Sequence, residues 1–309
     1  EFPVNYKEGE DFEDAYDITY DVFAFTPHMP KLNTENPDVQ DYLLKIARYW
    51  IEEFDIDAWR LDVANEVSHN FWKKFRQVCD EAKDDFYILG EIWHSSQRWL
   101  QGDEFHAVMN YAFTDAIIEY FVKDEISMTK MVSELNNQLM LYRDQTNQVQ
   151  FNILDSHDTP RLLTLARGDK DLMRQVMAFT YLQQGVPCLY YGDEIGLTGD
   201  MDPDYRKCMV WEEEKQDRDL LRFTTDLIHL RKSHQKILSE GSLNWNVISE
   251  EEGLIIFERE LGAQRIIGIF NTGEDQLTLS CPEEILLDQF MQIEDETMII
   301  DNKGFVIAK

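Results

Sequence analysis

The sequence is short of positive charge. Only 29 Lys and Arg stand against 60 Asp and Glu in 309 residues, a formal charge of 29 − 60 = −31. That balance repels phosphate backbones and anionic lipid, which argues against nucleic acid and membrane surfaces as partners. No run of 18 or more apolar residues occurs, so no membrane-spanning helix is predicted. Cysteine is scarce: Cys79, Cys188, Cys208 and Cys281 are scattered without a C-x-x-C pair. This excludes a tight disulfide framework and predicts reduced, mostly buried thiols in a cytoplasmic protein. The opening Glu1-Phe2-Pro3-Val4 has neither a basic nor an apolar signal region, so no secretory signal is visible. Also absent are H-E-x-x-H, Walker, G-x-G-x-x-G and G-x-S-x-G patterns, which removes several common hydrolase and nucleotide-binding classes. What remains is 43% hydrophobic and 12% aromatic, too rich for a disordered acidic chain.

Between residue 40 and about 235, short apolar runs alternate with amphipathic stretches. Helical periodicity is clear at 39–54, where Tyr42, Leu43, Ile46, Ala47, Trp50 and Ile51 share a face. Further helices are predicted at 67–83, 114–123, 127–145, 169–184 and 217–233. Strands are predicted at 56–63, 86–92, 105–110, 149–155 and 187–191. Strands recurring every 30–45 residues with helices between them indicate βα units and a parallel sheet. After 236 the pattern becomes short alternating strands at 243–249, 254–261, 264–271, 276–280 and 296–309, the mark of a small antiparallel β domain. The acidic patches Glu250–Glu252 and Glu294–Glu296 read as solvated turns.

Roughly one residue in five is a carboxylate (60 of 309), so position has to select among them. The C-terminal ends of parallel strands are where an α/β barrel builds its active site. The 56–63 strand brings Arg60 and Asp62 onto one face, since side chains alternate along a strand, with Trp59 in the opposite layer. A guanidinium beside a carboxylate keeps the acid ionised and oriented, as a nucleophile or electrostatic stabiliser needs. The 86–92 strand ends in Gly90-Glu91-Ile92-Trp93-His94, where a carboxyl beside an aromatic surface gains proton affinity and suits an acid. The 149–155 strand leads into Asp155-Ser156-His157-Asp158, whose His-Asp pair fits a metal site, a proton relay or a clamp on sugar hydroxyls. Trp59, Trp93, Trp99, Tyr111, Tyr190 and Tyr191 lie nearby in sequence. Paired carboxylates in an aromatic-lined cleft match the needs of glycosidic cleavage: an acid for the leaving oxygen and a carboxylate for the anomeric carbon.

These motifs resemble the α-amylase family of glycoside hydrolases, and within it the cyclomaltodextrinase, neopullulanase and maltogenic amylase group. Met29-Pro30-Lys31-Leu32-Asn33 is similar to that group's signature at the end of an inserted loop domain. Trp59-Arg60-Leu61-Asp62-Val63-Ala64-Asn65-Glu66, Gly90-Glu91-Ile92-Trp93-His94 and Leu154-Asp155-Ser156-His157-Asp158 resemble its motifs on barrel strands 4, 5 and 7. The resemblance implies a retaining hydrolase of α-1,4-glucosidic bonds in maltodextrins, cyclodextrins or pullulan. Asp62 would be the nucleophile, Glu91 the general acid and base, and Asp158 the stabiliser of the distorted sugar. Arg60 and His157 would orient nucleophile and substrate, with Lys31, Asn65, Glu66, Trp93 and His94 as further substrate contacts. The two reacting carboxyls would stand about 5–5.5 Å apart. Asp202, Asp204 and Arg206 read equally as donor-side contacts or as a polar loop.

The resemblance departs at the front, where an N-terminal β domain and barrel strands 1 to 3 would precede the signature at residue 29. The expected fold is therefore α/β: strands 4–8 of a (β/α)8 TIM barrel over 1–235, with 1–33 the end of the inserted loop domain, and a C-terminal antiparallel β-sandwich over 236–309. Five strands leave two sheet edges open and cannot close a barrel. The expected partners are α-glucan oligosaccharides and the N-terminal remainder of the same enzyme, with a homodimer also compatible. The alternative is a catalytically incomplete half-barrel that binds glucan. No cofactor is required by the implied chemistry. Calcium is compatible with the family, but its usual ligands would lie in the missing segment, so no metal ligand is assigned.

Overall fold

A computed structural model describes residues 20–26, 28–295 and 297–309. Most of the expected end of an inserted domain, residues 1–19, and Glu296 of the second acidic patch lie outside them. The chain divides into two compact units, one running to Ile92 and including Arg98–His106, the other comprising Trp93–Gln97 and Ala107–Lys309.

The first unit holds one helix followed by a βαβ repeat. Helix α1 (Pro37–Phe54) starts two residues before its apolar periodicity, because the Asn36 side chain accepts the amides of Asp38 and Val39 and Pro37 presets the first turn. Strand β1 (Ala58–Leu61) follows, then α2 (His69–Ala82), capped by Ser68, and β2 (Tyr87–Gly90). Strands β1 and β2 pair in parallel, Arg60 opposite Leu89 and Leu61 opposite Gly90. Gly90 is demanded by packing, since a Cβ there would stand 2.7 Å from the Phe105 ring.

In the second unit the strands are shorter than the alternation predicts. After β3 (Ala107–Val108) come α3 (Tyr111–Ile117) with a π-turn over Ile118–Val122, α4 (Met128–Leu141) and the short α5 (Asp144–Asn147). Strand β4 (Phe151–Asn152), α6 (Leu162–Leu165), α7 (Lys170–Leu182) and β5 (Val186–Pro187) complete the α/β part. Met109 bridges Phe151 and β4 pairs with β5, both in parallel. Polar side chains take over part of the ladder: Gln150 accepts the Val108 amide at 3.0 Å, and the Asn152 amide group donates to the Gln184 carbonyl at 2.8 Å. Strands expected over 149–155 and 187–191 are therefore paired over only two residues each.

Helix α8 (Arg218–Ser233) and α9 (Gln235–Glu240) lead into strands β6 (Ser242–Ser249), β7 (Leu254–Leu261), β8 (Gln264–Asn271), β9 (Leu277–Ser280), β10 (Ile285–Glu294) and β11 (Thr297–Ala308). They form one antiparallel sheet in the order β10-β11-β8-β7-β6, with β9 also on β11. The domain expected as an antiparallel β-sandwich is hydrogen-bonded into one connected sheet through the long β11, with an apolar cluster on each face. Ile255, Phe257, Phe270 and Phe305 pack toward α7 and α8, while Leu254, Ile267, Ile269 and Val306 fill the other face. Strand β10 was not predicted, because register shifts at Ile285/Leu287 and Gln289/Met291 break its alternation. Glu250, expected as a solvated turn, accepts the Thr129 amide at 2.8 Å in the first turn of α4. The cysteines are all free, but only Cys79 is buried; Cys208 is exposed and the other two are half-buried, so the expectation of mostly buried thiols fails.

Helix α7 is buried nearly all round, and its C-terminal carbonyls meet two guanidinium groups. Arg231 donates to the carbonyls of Tyr181 and Gln183 at 2.7 and 2.9 Å and to that of Gly185, and Arg259 donates to that of Leu182 at 2.8 Å. Cations at this end complement the helix dipole and satisfy the orphan acceptors together.

Candidate active site

The ends of β1 and β2 bring Arg60, Asp62 and Glu91 together. Arg60 and Asp62 share a strand face, as the period of two requires, and the Arg60 Nη1 donates to Asp62 Oδ1. Its Nη2 stands 3.1 Å from Glu91 Oε1, so one guanidinium serves two carboxylates. The other Glu91 oxygen accepts the Val63 amide at 2.9 Å. Glu91 is 4% exposed, whereas the Asp62 side chain is 75% exposed.

The backbone after β1 is shaped to make this arrangement. Val63 adopts the left-handed region at φ 44° and ψ 47°. For a β-branched residue that conformation costs on the order of 1–3 kcal/mol. It turns two consecutive amides toward the next strand end: the Val63 amide reaches the Glu91 carboxylate and the Ala64 amide its carbonyl, at 2.9 and 3.0 Å. Nothing in the composition or periodicity signals this; it is a property of the turn.

A cavity of about 840 Å³ opens beside β1, lined by Asp62, Lys31 and Glu66 together with Trp59, Leu61 and Phe71. Lys31 and Glu66 form an ion pair of 2.9 Å. Asn65 is half-buried in the turn Ala64–Glu66. Trp59 faces the cavity, on the side opposite Arg60, and meets Phe75 edge-on at 6.5 Å. Trp99 is buried against His69 at 5.1 Å, so it is a packing residue within this unit.

In the second unit, the turn after β4 presents His157 and Asp158. His157 Nε2 lies 3.0 Å from Asp158 Oδ2, and Arg206 donates to the other oxygen at 2.7 Å. Arg206 also pairs with Asp202 at 3.3 Å, so this loop is more than a polar connector. Ser156 and Thr159 shape the turn, the Ser156 hydroxyl accepting the Asp158 amide at 3.1 Å. Trp93 stacks on Tyr111 at 3.9 Å and 13°, leaving one half-exposed aromatic face, and exposed His94 contacts the Ser95 carbonyl at 3.2 Å. Tyr190 and Tyr191 flank Arg161, with its guanidinium carbon 4.3 and 4.8 Å from the ring centroids. Within the first unit Trp59 lines the cavity and Trp99 is buried packing; within the second, Trp93 and Tyr111 form one stack while half-buried Tyr190 and exposed Tyr191 flank Arg161.

Among the described residues no group of three or more His, Cys, Asp or Glu is placed to hold a metal ion. No helix among them is long and apolar enough to cross a membrane.

The α-amylase catalytic-domain family matches residues 9–202, more than half of the chain. The chain is 57% identical over 257 residues to the intracellular maltogenic amylase of Bacillus subtilis (strain 168), covering 83% of this chain and 44% of that protein. It is 50% identical over 263 residues to a cyclomaltodextrinase of a Bacillus species, covering 85% and 47% respectively. A solved cyclomaltodextrinase superposes with a TM-score of 0.84 at 44% identity, over 94% of this chain and 52% of that one. The chain thus spans about half the length of the curated relatives it matches. The shared architecture is a TIM-barrel-type fold followed by an antiparallel sheet domain.

Proposed function

This chain belongs to the α-amylase family, and from that premise we propose that it carries the catalytic carboxylates of a retaining hydrolase of α-1,4-glucosidic bonds. The observation that supports this most is the single Arg60 guanidinium holding Asp62 and Glu91 at the ends of paired parallel strands. In the reaction, Asp62 attacks the anomeric carbon while Glu91 protonates the departing oxygen, giving a covalent glycosyl-enzyme. Glu91 then deprotonates a water that releases the sugar, with net retention. Asp158 binds the hydroxyls of the distorted sugar, kept in orientation by His157 and Arg206. Lys31, Asn65, Glu66, Trp93 and His94 are assigned to substrate contacts outside the reacting bond. Two carboxylates suffice for these steps, without metal or organic cofactor.

The substrates proposed are short maltodextrins, cyclodextrins or pullulan, in keeping with relatives named maltogenic amylase, cyclomaltodextrinase and neopullulanase. A cytoplasmic setting is proposed on the relative named intracellular. We also propose that the chain is strands 4–8 of the barrel over 1–235 with a terminal β domain over 236–309, and that turnover requires the other half of a family-length protein. The half-length match and the outer edge of β1, which has no strand partner among the described residues of its unit, beside the 840 Å³ cavity, favour that reading over independent activity. Maltose release from cyclodextrin, assayed with and without a family N-terminal half, tests both parts. Asp62→Asn should lower turnover by about 10⁴-fold; full activity in that variant sinks the catalytic assignment.

A further inference from the structure

Beyond β5 the chain runs into two adjacent tyrosines whose rings rest on one buried cation. Arg161 is fully buried, and its Nη1 donates to the Tyr191 carbonyl at 2.7 Å and stands 3.2 Å from Asp193 Oδ1. Its Nε and Nη2 have no hydrogen-bond acceptor among the described residues, and its guanidinium carbon lies 4.3 Å from the Tyr190 ring centre and 4.8 Å from that of Tyr191. A cation over an aromatic face is attracted by the ring's negative charge density, most strongly away from water. The two rings also meet each other edge-on at 4.7 Å and 69°. Each phenol is therefore fixed in direction, and its hydroxyl is aimed at one place. The Tyr190 hydroxyl donates to the Tyr205 carbonyl at 3.2 Å, and the Tyr191 hydroxyl to the Lys207 carbonyl at 2.5 Å. Those two carbonyls stand on either side of Arg206 in the chain.

We propose that Tyr190 and Tyr191 are positioning residues for Asp158: clamped on Arg161, they hold the backbone of residues 205–207 so that Arg206 meets the Asp158 carboxylate. An ion pair between partly exposed groups does not fix its own geometry, because flexible side chains give up rotamer freedom for little gain. The Arg206–Asp158 contact of 2.7 Å joins side chains that are 45% and 29% exposed, so its direction has to come from the backbone beneath Arg206. The other end of the same loop is pinned as well. The Arg161 amide donates to the Gly199 carbonyl at 2.9 Å, and the Gly199 amide to the Thr164 hydroxyl at 2.7 Å. A Cβ at Gly199 would stand 2.5 Å from the Tyr205 Cα, so the loop closes on itself at its base. In this role both tyrosines act through Arg206 and not on the sugar.

The importance of this clamp for glucan chemistry rests on the role given to Asp158 above; the clamp itself is tested without catalysis. The His157 ring reports on Asp158, since its Nε2 lies 3.0 Å from Asp158 Oδ2. Its NMR signals in the full chain are assigned by their loss in His157→Gln. The paired variant Tyr190→Phe/Tyr191→Phe keeps both rings against Arg161 and removes only the two hydroxyl hydrogen bonds. Arg206→Gln should shift the His157 signals, and the paired variant should shift them in the same direction. Added to Arg206→Gln, the paired variant should change nothing more, because residues acting along one path are not additive. Tyr191→Phe alone, at an exposed ring, should give part of the same shift. Unmoved His157 signals in the folded paired variant or in folded Arg206→Gln overturn the proposal. So does an equal shift with and without Arg206, which would mean that the tyrosines reach His157 by another route. No turnover is read, so a failure of the proposed hydrolysis leaves this test intact, and a failure here leaves the roles of Asp62 and Glu91 standing.

Discussion

Arg60 and Glu91 stand 3.1 Å apart in an ion pair whose carboxylate is almost fully buried, the Glu91 side chain being 6% exposed. The second amino group of the same guanidinium is spent on Asp62. Lysine keeps the charge but offers one point donor where Arg60 offers a planar fork. Arg60→Lys should therefore lower kcat by about 10²-fold with little change in KM, the penalty for reacting groups displaced by about 1 Å. Steady-state kinetics on a maltooligosaccharide, in the chain joined to a family N-terminal half, measure this. Loss confined to KM would mean that Arg60 only binds substrate.

His106 offers an acid-sensitive joint in the first unit. Its Nδ1 accepts the Ile88 amide at 3.0 Å, and burial pulls the imidazole down to about 4. A protonated ring cannot accept that amide. The unfolded histidine takes up its proton near the ordinary value of about 6.5. Stability contributed by His106 is thus complete above about pH 6.5 and is lost as pH falls toward 4. With the ring partly exposed, the loss should be about 2 kcal/mol. His106→Asn, which retains an acceptor but cannot charge, should flatten the urea-midpoint profile between pH 6.5 and 4; an unchanged slope contradicts the assignment.

The two arginines at the end of α7 should matter more to stability than any surface ion pair. Neither has an acidic partner among the described residues, and burial lowers Arg231 to about 10 and Arg259 to about 9. Each persists because backbone carbonyls surround it. Arg259→Met leaves the carbonyls of Leu182 and Gly241 without their donor, which should cost about 3 kcal/mol. Denaturant unfolding should show a lower midpoint with an unchanged slope. A loss under about 1 kcal/mol would mean that water replaces the guanidinium.

Much of this was legible in the residues and some was not, for physical reasons. Helices α2, α7 and α8 follow their apolar periodicity and begin at side-chain caps, Ser68, Asp169 and Asp217. Strands β4 and β5 were overextended because Gln150 and Asn152 supply hydrogen bonds that alternation attributes to backbone. In the site, the Arg60–Asp62 contact follows from a period of two. The reach of Arg60 to Glu91 depends on which strands are neighbours, and no local pattern contains that. The Val63 turn and the buried ion pair of Arg161 with Asp193 are likewise products of tertiary placement. Arg206 was visible only as one charge in a loop with Asp202 and Asp204, and its hold on Asp158 required the fold.

The central claim is that Asp62 forms a covalent bond to the sugar. A fluorinated maltosyl fluoride, which slows breakdown of such an adduct, can be incubated with the chain joined to a family N-terminal half and the peptides weighed by mass spectrometry. The account predicts a glycosyl mass on the peptide carrying Asp62, absent in Asp62→Asn. Steady hydrolysis of the probe with no adduct on that peptide, or an adduct on a different carboxylate, would contradict it.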